Sequence, residues 1–153
     1  MKLWLLRHGQ AEPYQPHDAE RQLTEHGRQQ VLQAADFLRE IKFDRVLSSP
    51  YVRARQTADL LCTALSYPQS IEIVPWLTPE DDVREVVRKL DGYPVKHLLI
   101  VAHQPLLGNL ASWLTDADRQ HGLPMDTASV ACLEGDFVGA GTMQLHSLQH
   151  VKA

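Results

Sequence analysis

Two arginines and two histidines draw attention because each follows a short apolar run and lies beside turn-forming residues. Arg7 and His8 come directly after KLWLL and before Gly9, Arg53 follows RVLSS and Pro50, and His103 closes HLLIVA two residues before Pro105. Arginine's planar fork matches phosphate oxygens in bidentate fashion. A neutral imidazole among such cations can attack phosphorus and become a phosphohistidine. Nearby positive charge favours the neutral ring by lowering its pKa. A second positioned histidine could hydrogen-bond the transferring oxygens, so that preorganised donors and not a metal meet their charge. Gly9 lacks a Cβ and permits close backbone approach, which would let a carbonyl orient the far nitrogen of His8.

Such a cluster forms only if the fold gathers residues far apart in sequence. KLWLL reads as a buried strand. The polar stretch Gln10 to Gln22 reads as a loop, with Pro13 and Pro16 excluding helix. Thr24 is an expected N-cap with Glu25 in the first turn, and Val31, Ala34, Ala35 and Leu38 follow helical spacing. RVLSS is the second strand, and Ser49-Pro50 is read as the N-cap and N1 pair of a helix burying Val52, Leu60, Leu61, Ala64 and Leu65. IEIV (71–74) is the third strand. A helix carrying Val83, Val86, Val87 and Leu90 follows, then HLLIVA as the central strand, covered on both faces. Pro105 opens a helix with Leu106, Leu107, Leu110, Ala111 and Leu114 inward, and strands near 128–133 and 142–148 close the chain. This order predicts one α/β domain over residues 1–153. It would be a three-layer αβα sandwich with a mostly parallel sheet and a C-terminal antiparallel hairpin. Ligands of open α/β sheets bind beyond the carboxyl ends of the strands, where Arg7, His8, Arg53 and His103 would converge. The helix N-termini after the second and fourth strands would add positive dipole ends.

Composition narrows the partners. The chain has 153 residues, 44% hydrophobic and 22% charged, with net charge −4. That balance suits one globular core and argues against a nucleic-acid partner held by general electrostatics. No long uncharged apolar run predicts a transmembrane helix, and the N-terminus lacks a secretory leader's layout, so the expected location is cytoplasmic, away from membranes. Cys62 and Cys132 are read as reduced core residues. His17, His26, His97, His121, His146 and His150 show no metal-ligand spacing and are read as solvated or loop residues.

Four segments carry a likeness to a known family: LLRHGQAE, LTEHGRQQ, SSPYVRARQTA and VAHQPLLG. RHG alone is weak. RHG, LT-x-x-G, SP-x-x-RA-x-QTA and a late VAH, in that order, resemble the histidine phosphatase superfamily, which includes phosphoglycerate mutase. The likeness runs from Met1 to about Leu114. Short length, Arg21 just before LTEHG, the segment LTPEDD and HQPLLG make it most similar to the SixA-type phosphohistidine phosphatases. The resemblance implies that His8 is the nucleophile, that Arg7 and Arg53 bind the phosphoryl group, and that His103 completes the pocket. Arg21 is implied as a further contact with phosphate or substrate, and Gln10 and Glu12 border the site. It also implies a phosphorylated histidine-containing phosphotransfer protein as substrate, with no cofactor or metal, for a protein expected to be monomeric.

One departure stands out. Larger members of that family carry a glutamate general acid in an inserted helical cap after the third strand, whereas here the segment is only VPWLTPEDD. Glu80 is the candidate acid, with Asp81 and Asp82 next, although acids there also suit a helix N-terminus. Ser49 is read as a cap and not a nucleophile, since no Gly-x-Ser-x-Gly surrounds it. Arg55 is read as a helix-surface residue. The alternative enzyme is a small-molecule phosphomonoesterase or mutase. Two remoter readings are a phosphate-binding module without turnover and a metal-dependent hydrolase.

Overall fold

The computed structural model describes residues 1–13, 16–119 and 121–152. Its sheet has six strands in the order β3-β2-β4-β1-β5-β6. These are β1 (Lys2–Arg7), β2 (Arg45–Ser48), β3 (Glu72–Ile73), β4 (His97–Ala102), β5 (Val130–Glu134) and β6 (Gln144–Gln149). The helices are α1 (Glu25–Phe37), α2 (Val52–Ala64), α3 (Val83–Leu90) and α4 (Leu106–Asp116). The first four strands in sequence pair in parallel, while β5 runs antiparallel to β1 and to β6. The expected α/β sandwich and C-terminal antiparallel pair are both present.

Strand alternation builds two cores from one sheet. Leu3, Leu5, Leu98 and Ile100 point to the face covered by α3 and α4, where Val86, Leu90, Leu107 and Leu110 pack. Trp4, Leu6, Leu99 and Val101 point to the face of Val31, Ala34, Ala58 and Leu61 from α1 and α2. Because β4 is buried on both sides beyond the half-buried His97, the rest of it must be apolar, as LLIVA is. Cys62 and Cys132 are buried free thiols, with burial raising them to about 12 and about 11.

Several expectations need correction. Helix α2 begins at Val52 with Tyr51 as its cap, not at Ser49-Pro50. Ser49 Oγ is held at 2.7 Å by His103 Nε2 and reaches only the Tyr51 amide, so the helix starts after that turn. The buried stripe of α2 is accordingly Arg53, Ala54, Thr57, Ala58, Leu61 and Cys62; Val52, Leu60, Ala64 and Leu65 lie at its margin. Strand β3 is only two residues long, because just Glu72 and Ile73 find partners on β2. The Gln10–Gln22 loop contains a 3₁₀ turn at Asp18–Glu20, beyond the reach of Pro16; residues 14 and 15 of that loop lie outside the described residues. His97 and His146 lie in the strands expected there and His146 is exposed, but His97 is half-buried, its Nδ1 accepting the Trp4 indole N–H at 3.3 Å. Among the described residues, no helix is long and apolar enough to cross a membrane.

Candidate active site

Parallel strands bring β1, β2 and β4 to a common carboxyl edge. Arg7 ends β1 opposite Ala102 of β4, so His8 and His103 emerge side by side, with ring centroids 5.2 Å apart. His8 is 6% exposed, Arg53 3% and His103 1%. The first turn of α2 turns Arg53 inward, where its Nε donates to His8 Nε2 at 3.3 Å. Because a guanidinium can only donate, Nε2 must be the unprotonated nitrogen of the ring. The ring proton is therefore on Nδ1 and is donated to the Gly9 carbonyl at 2.6 Å. The far nitrogen is thus oriented by a carbonyl, and Nε2 presents its lone pair toward the cations.

Glycine makes this loop possible through close packing. A Cβ on Gly9 would lie 2.5 Å from the Gly27 carbonyl oxygen, and one on Gly27 only 2.0 Å from that of Gln10. The RHG loop therefore rests directly on the first turn of α1, whose N-cap Thr24 accepts from the Gly27 amide at 2.9 Å. Thr57 Oγ accepts the Gly9 amide and donates to the Arg53 carbonyl, joining the loop to α2.

Burial is the main electrostatic cause throughout. It lowers His8 to about 4, with Arg53, Arg7 and Arg21 acting in the same direction and the Gly9 carbonyl opposing. It lowers His103 to about 2, aided by His8 and the same three arginines. Both rings are consequently neutral at pH 7. His103 Nε2 is paired with Ser49 Oγ, while its Nδ1 is buried without a protein partner, as is Arg7 Nε. Arg7 is steadied by the Met125 carbonyl, to which its Nη1 donates at 2.8 Å.

The other expected residues are placed unequally. Arg21 joins the cluster: its Nη1 donates to the Glu12 carbonyl, and its Nε lies 2.8 Å from Asp18 Oδ1. Gln10 is exposed beside the loop, with its side-chain oxygen taken by Thr24 Oγ at 2.7 Å. Glu12 fastens the loop through the Gln22 amide. Glu80 is exposed and makes no side-chain hydrogen bond or ion pair among the described residues; Asp82 is the cap of α3. Arg55 is exposed. Three side chains at the site escaped sequence reasoning. Tyr51 packs against His103 and lies under the Arg53 guanidinium, both at 5.0 Å, and Thr57 ties the loop to α2. Asp18 pairs with Arg53 and Arg21, and its only sequence signal is the three-residue spacing to Arg21. No group of three or more His, Cys, Asp or Glu among the described residues could hold a metal ion.

A family model for the histidine phosphatase superfamily (branch 1) matches residues 3–78. Phosphohistidine phosphatase SixA of Escherichia coli (strain K12) is 34% identical over 148 residues, spanning 93% of this chain and 90% of that protein. The chain belongs to the histidine phosphatase superfamily.

Its likeness to the SixA-type members extends to structure. The structure of the protein histidine phosphatase SixA complexed with tungstate superposes with a TM-score of 0.88 at 29% identity, over 98% of this chain and 97% of that one. A shorter likeness, 43% identical over 76 residues, links the chain to the adenosylcobalamin/alpha-ribazole phosphatase of Salmonella typhimurium, covering 46% of this chain but 37% of that protein.

The two buried imidazoles of this superfamily member should make its stability fall with acid. Their folded pKa values lie below the ordinary 6.5, so the unfolded chain binds more protons once pH drops below that value. The His8 contribution is present above about 6.5 and is lost as pH falls through about 4. Chemical denaturation between pH 7 and 4 should show falling stability, with a shallower slope in His8→Gln. An identical slope in that variant would contradict the burial argument.

Proposed function

We propose that this chain is a phosphohistidine phosphatase that needs no metal, acting as one catalytic unit over residues 1–153 without a cap. His8 Nε2 attacks the phosphoryl group, Arg7, Arg53 and Arg21 hold its oxygens, and His103 donates from Nδ1. The observation that carries this reading is the unprotonated His8 Nε2, which accepts from Arg53 Nε at 3.3 Å while Nδ1 is paired with the Gly9 carbonyl at 2.6 Å. Phosphoryl transfer depends chiefly on positioning and charge, which these cations supply. The likeness to SixA supports a phosphorylated histidine as substrate, borne by a phosphotransfer protein in a signalling relay. Such a protein-borne group suits a monomeric cytoplasmic enzyme whose β3–α3 segment is short, β3 ending at Ile73 and α3 starting at Val83.

An exposed Glu80 also favours nitrogen–phosphorus over oxygen–phosphorus bonds. An alkoxide leaving group needs a placed acid, an effect often worth about 10²–10⁴ in rate. An imidazole can carry its own proton near neutral pH, since its ordinary pKa is about 6.5. The likeness to the alpha-ribazole phosphatase favours a second reading, a small-molecule phosphomonoesterase.

The test compares kcat/KM for a phosphohistidine phosphotransfer protein and for common sugar phosphates, after exhaustive EDTA treatment. Chelation should leave both rates unchanged, and the phosphohistidine protein should be preferred by roughly 10²-fold or more. Glu80→Gln should alter its turnover by less than about threefold, little beyond the loss of one solvated charge. Sugar phosphates winning, with Glu80→Gln abolishing their turnover, would install the second reading. Activity lost to EDTA and restored by zinc or magnesium would end the metal-free one.

A further inference from the structure

We infer that Asp18 recognises the leaving imidazole of the substrate, a role that rests on the phosphohistidine reading and deepens it. A single buried guanidinium links this residue to the nucleophile. Arg53 donates from Nε to His8 Nε2 at 3.3 Å and from Nη1 to the Asp18 carbonyl at 2.8 Å, while its Nη2 lies 3.2 Å from Asp18 Oδ2. The other carboxylate oxygen, Oδ1, lies 2.8 Å from Arg21 Nε. One carboxylate thus rests on two cations of the cluster. Its side chain is 42% exposed, whereas that of Arg53 is 4% exposed, so Asp18 stands at the rim of the site and Arg53 beneath it.

A dianionic phosphoryl group and a carboxylate compete for the same fork. The phosphoryl group brings more charge and more acceptor oxygens, so it takes the Arg53 guanidinium. Asp18 is then displaced without leaving, because its backbone carbonyl is still held by Arg53 Nη1 and its other oxygen still forms an ion pair with Arg21, without hydrogen-bond alignment. The freed acceptor faces whatever carries the phosphoryl group. An alkoxide leaving group offers lone pairs, which a carboxylate repels. A phosphorylated imidazole protonated on its distal nitrogen offers an N–H, which a carboxylate accepts.

The transfer step then balances without an added acid. The lone pair of His8 Nε2 forms a bond to phosphorus, and the bond from phosphorus to the substrate nitrogen breaks, returning its electron pair to that nitrogen. The substrate leaves as a neutral imidazole that keeps its distal proton, held by Asp18. His8 becomes the phosphorylated imidazolium, with its own distal proton held by the Gly9 carbonyl. The exchange is chemically symmetric, and Asp18 does for the substrate ring what Gly9 does for His8. Water then adds to phosphorus, the His8–phosphorus pair returns to Nε2, and both water protons depart on the phosphate.

The experiment measures Asp18→Asn and Asp18→Ala against wild type with two probes: kcat/KM for a phosphohistidine phosphotransfer protein, and the inhibition constant of inorganic phosphate. A charge-assisted hydrogen bond is worth about tenfold to a hundredfold, so kcat/KM should fall by that factor in both variants. Inorganic phosphate, having no imidazole and no longer a competing carboxylate, should bind as well or more tightly. Joint weakening of both probes would mean that Asp18 merely steadies Arg53. Unchanged or faster phosphohistidine turnover would mean that it merely blocks the site. Either result overturns the inference while leaving the phosphohistidine reading in place. A wild-type protein unable to turn over the phosphohistidine substrate removes that reading and the inference together.

Discussion

His8→Ala should lose about four powers of ten or more in kcat, the scale on which removal of a covalent nucleophile acts. The reasoning is positional. Among the described residues, Nε2 of His8 is the one imidazole nitrogen whose unprotonated state is enforced by a cationic donor, Arg53 Nε at 3.3 Å. Burial and three arginines lower the ring's pKa to about 4, so Nε2 stays unprotonated throughout the neutral range. Rapid quench with labelled substrate should leave one acid-labile, base-stable phosphate, and peptide mapping should place it on His8. A His8→Ala protein with more than a few per cent of wild-type activity, or label on another residue, defeats this assignment.

His103→Ala should cost about two to three powers of ten, the effect of deleting a preorganised donor to developing charge. Its ring is neutral, 1% exposed and fixed at one nitrogen by Ser49, which leaves the buried Nδ1 as its one uncommitted polar atom. In the proposed mechanism this atom meets the transferring oxygens, which predicts a loss mostly in kcat, since the charge it would meet grows in the transition state. Ser49→Ala should cost far less, about tenfold, because packing against Tyr51 at 5.0 Å still holds the ring. Comparable losses in KM and kcat for His103→Ala would mean ground-state binding instead. A Ser49→Ala defect as large as that of His103→Ala would point to the hydroxyl as the working group.

Much of this site was legible because local rules and global topology agree. Thr24 caps α1 as its type and position predict, and Val31, Ala34, Ala35 and Leu38 are all buried. Leu98 to Ala102 are interior because the run LLIVA carries no polar side chain. The errors arose where a side chain had a distant partner. Ser49 has the residue type of an N-cap, yet its hydroxyl is taken by His103, 54 positions away. The apolar spacing of α2 pointed to Leu60 and Leu65, but Arg53 is turned inward to meet His8, which moves the buried stripe. Proline gave correct warning around residue 16 but had no bearing on the turn at Asp18–Glu20.

The amino-acid order alone determined which chemical groups meet. Parallel pairing aligns the strand ends, so residues placed just after apolar runs must collect on one edge of the sheet. Arg7, His8, Arg53 and His103 needed no more than that rule. Only the tertiary structure decided how those groups are used. It set the tautomer of His8 through the Gly9 carbonyl and Arg53, and the support of Arg7 through Met125, 118 residues away. It also placed the Asp18 carboxylate across Arg53 and Arg21. These are short-range contacts, 2.6 to 3.3 Å long, and such contacts leave no periodicity in a chain.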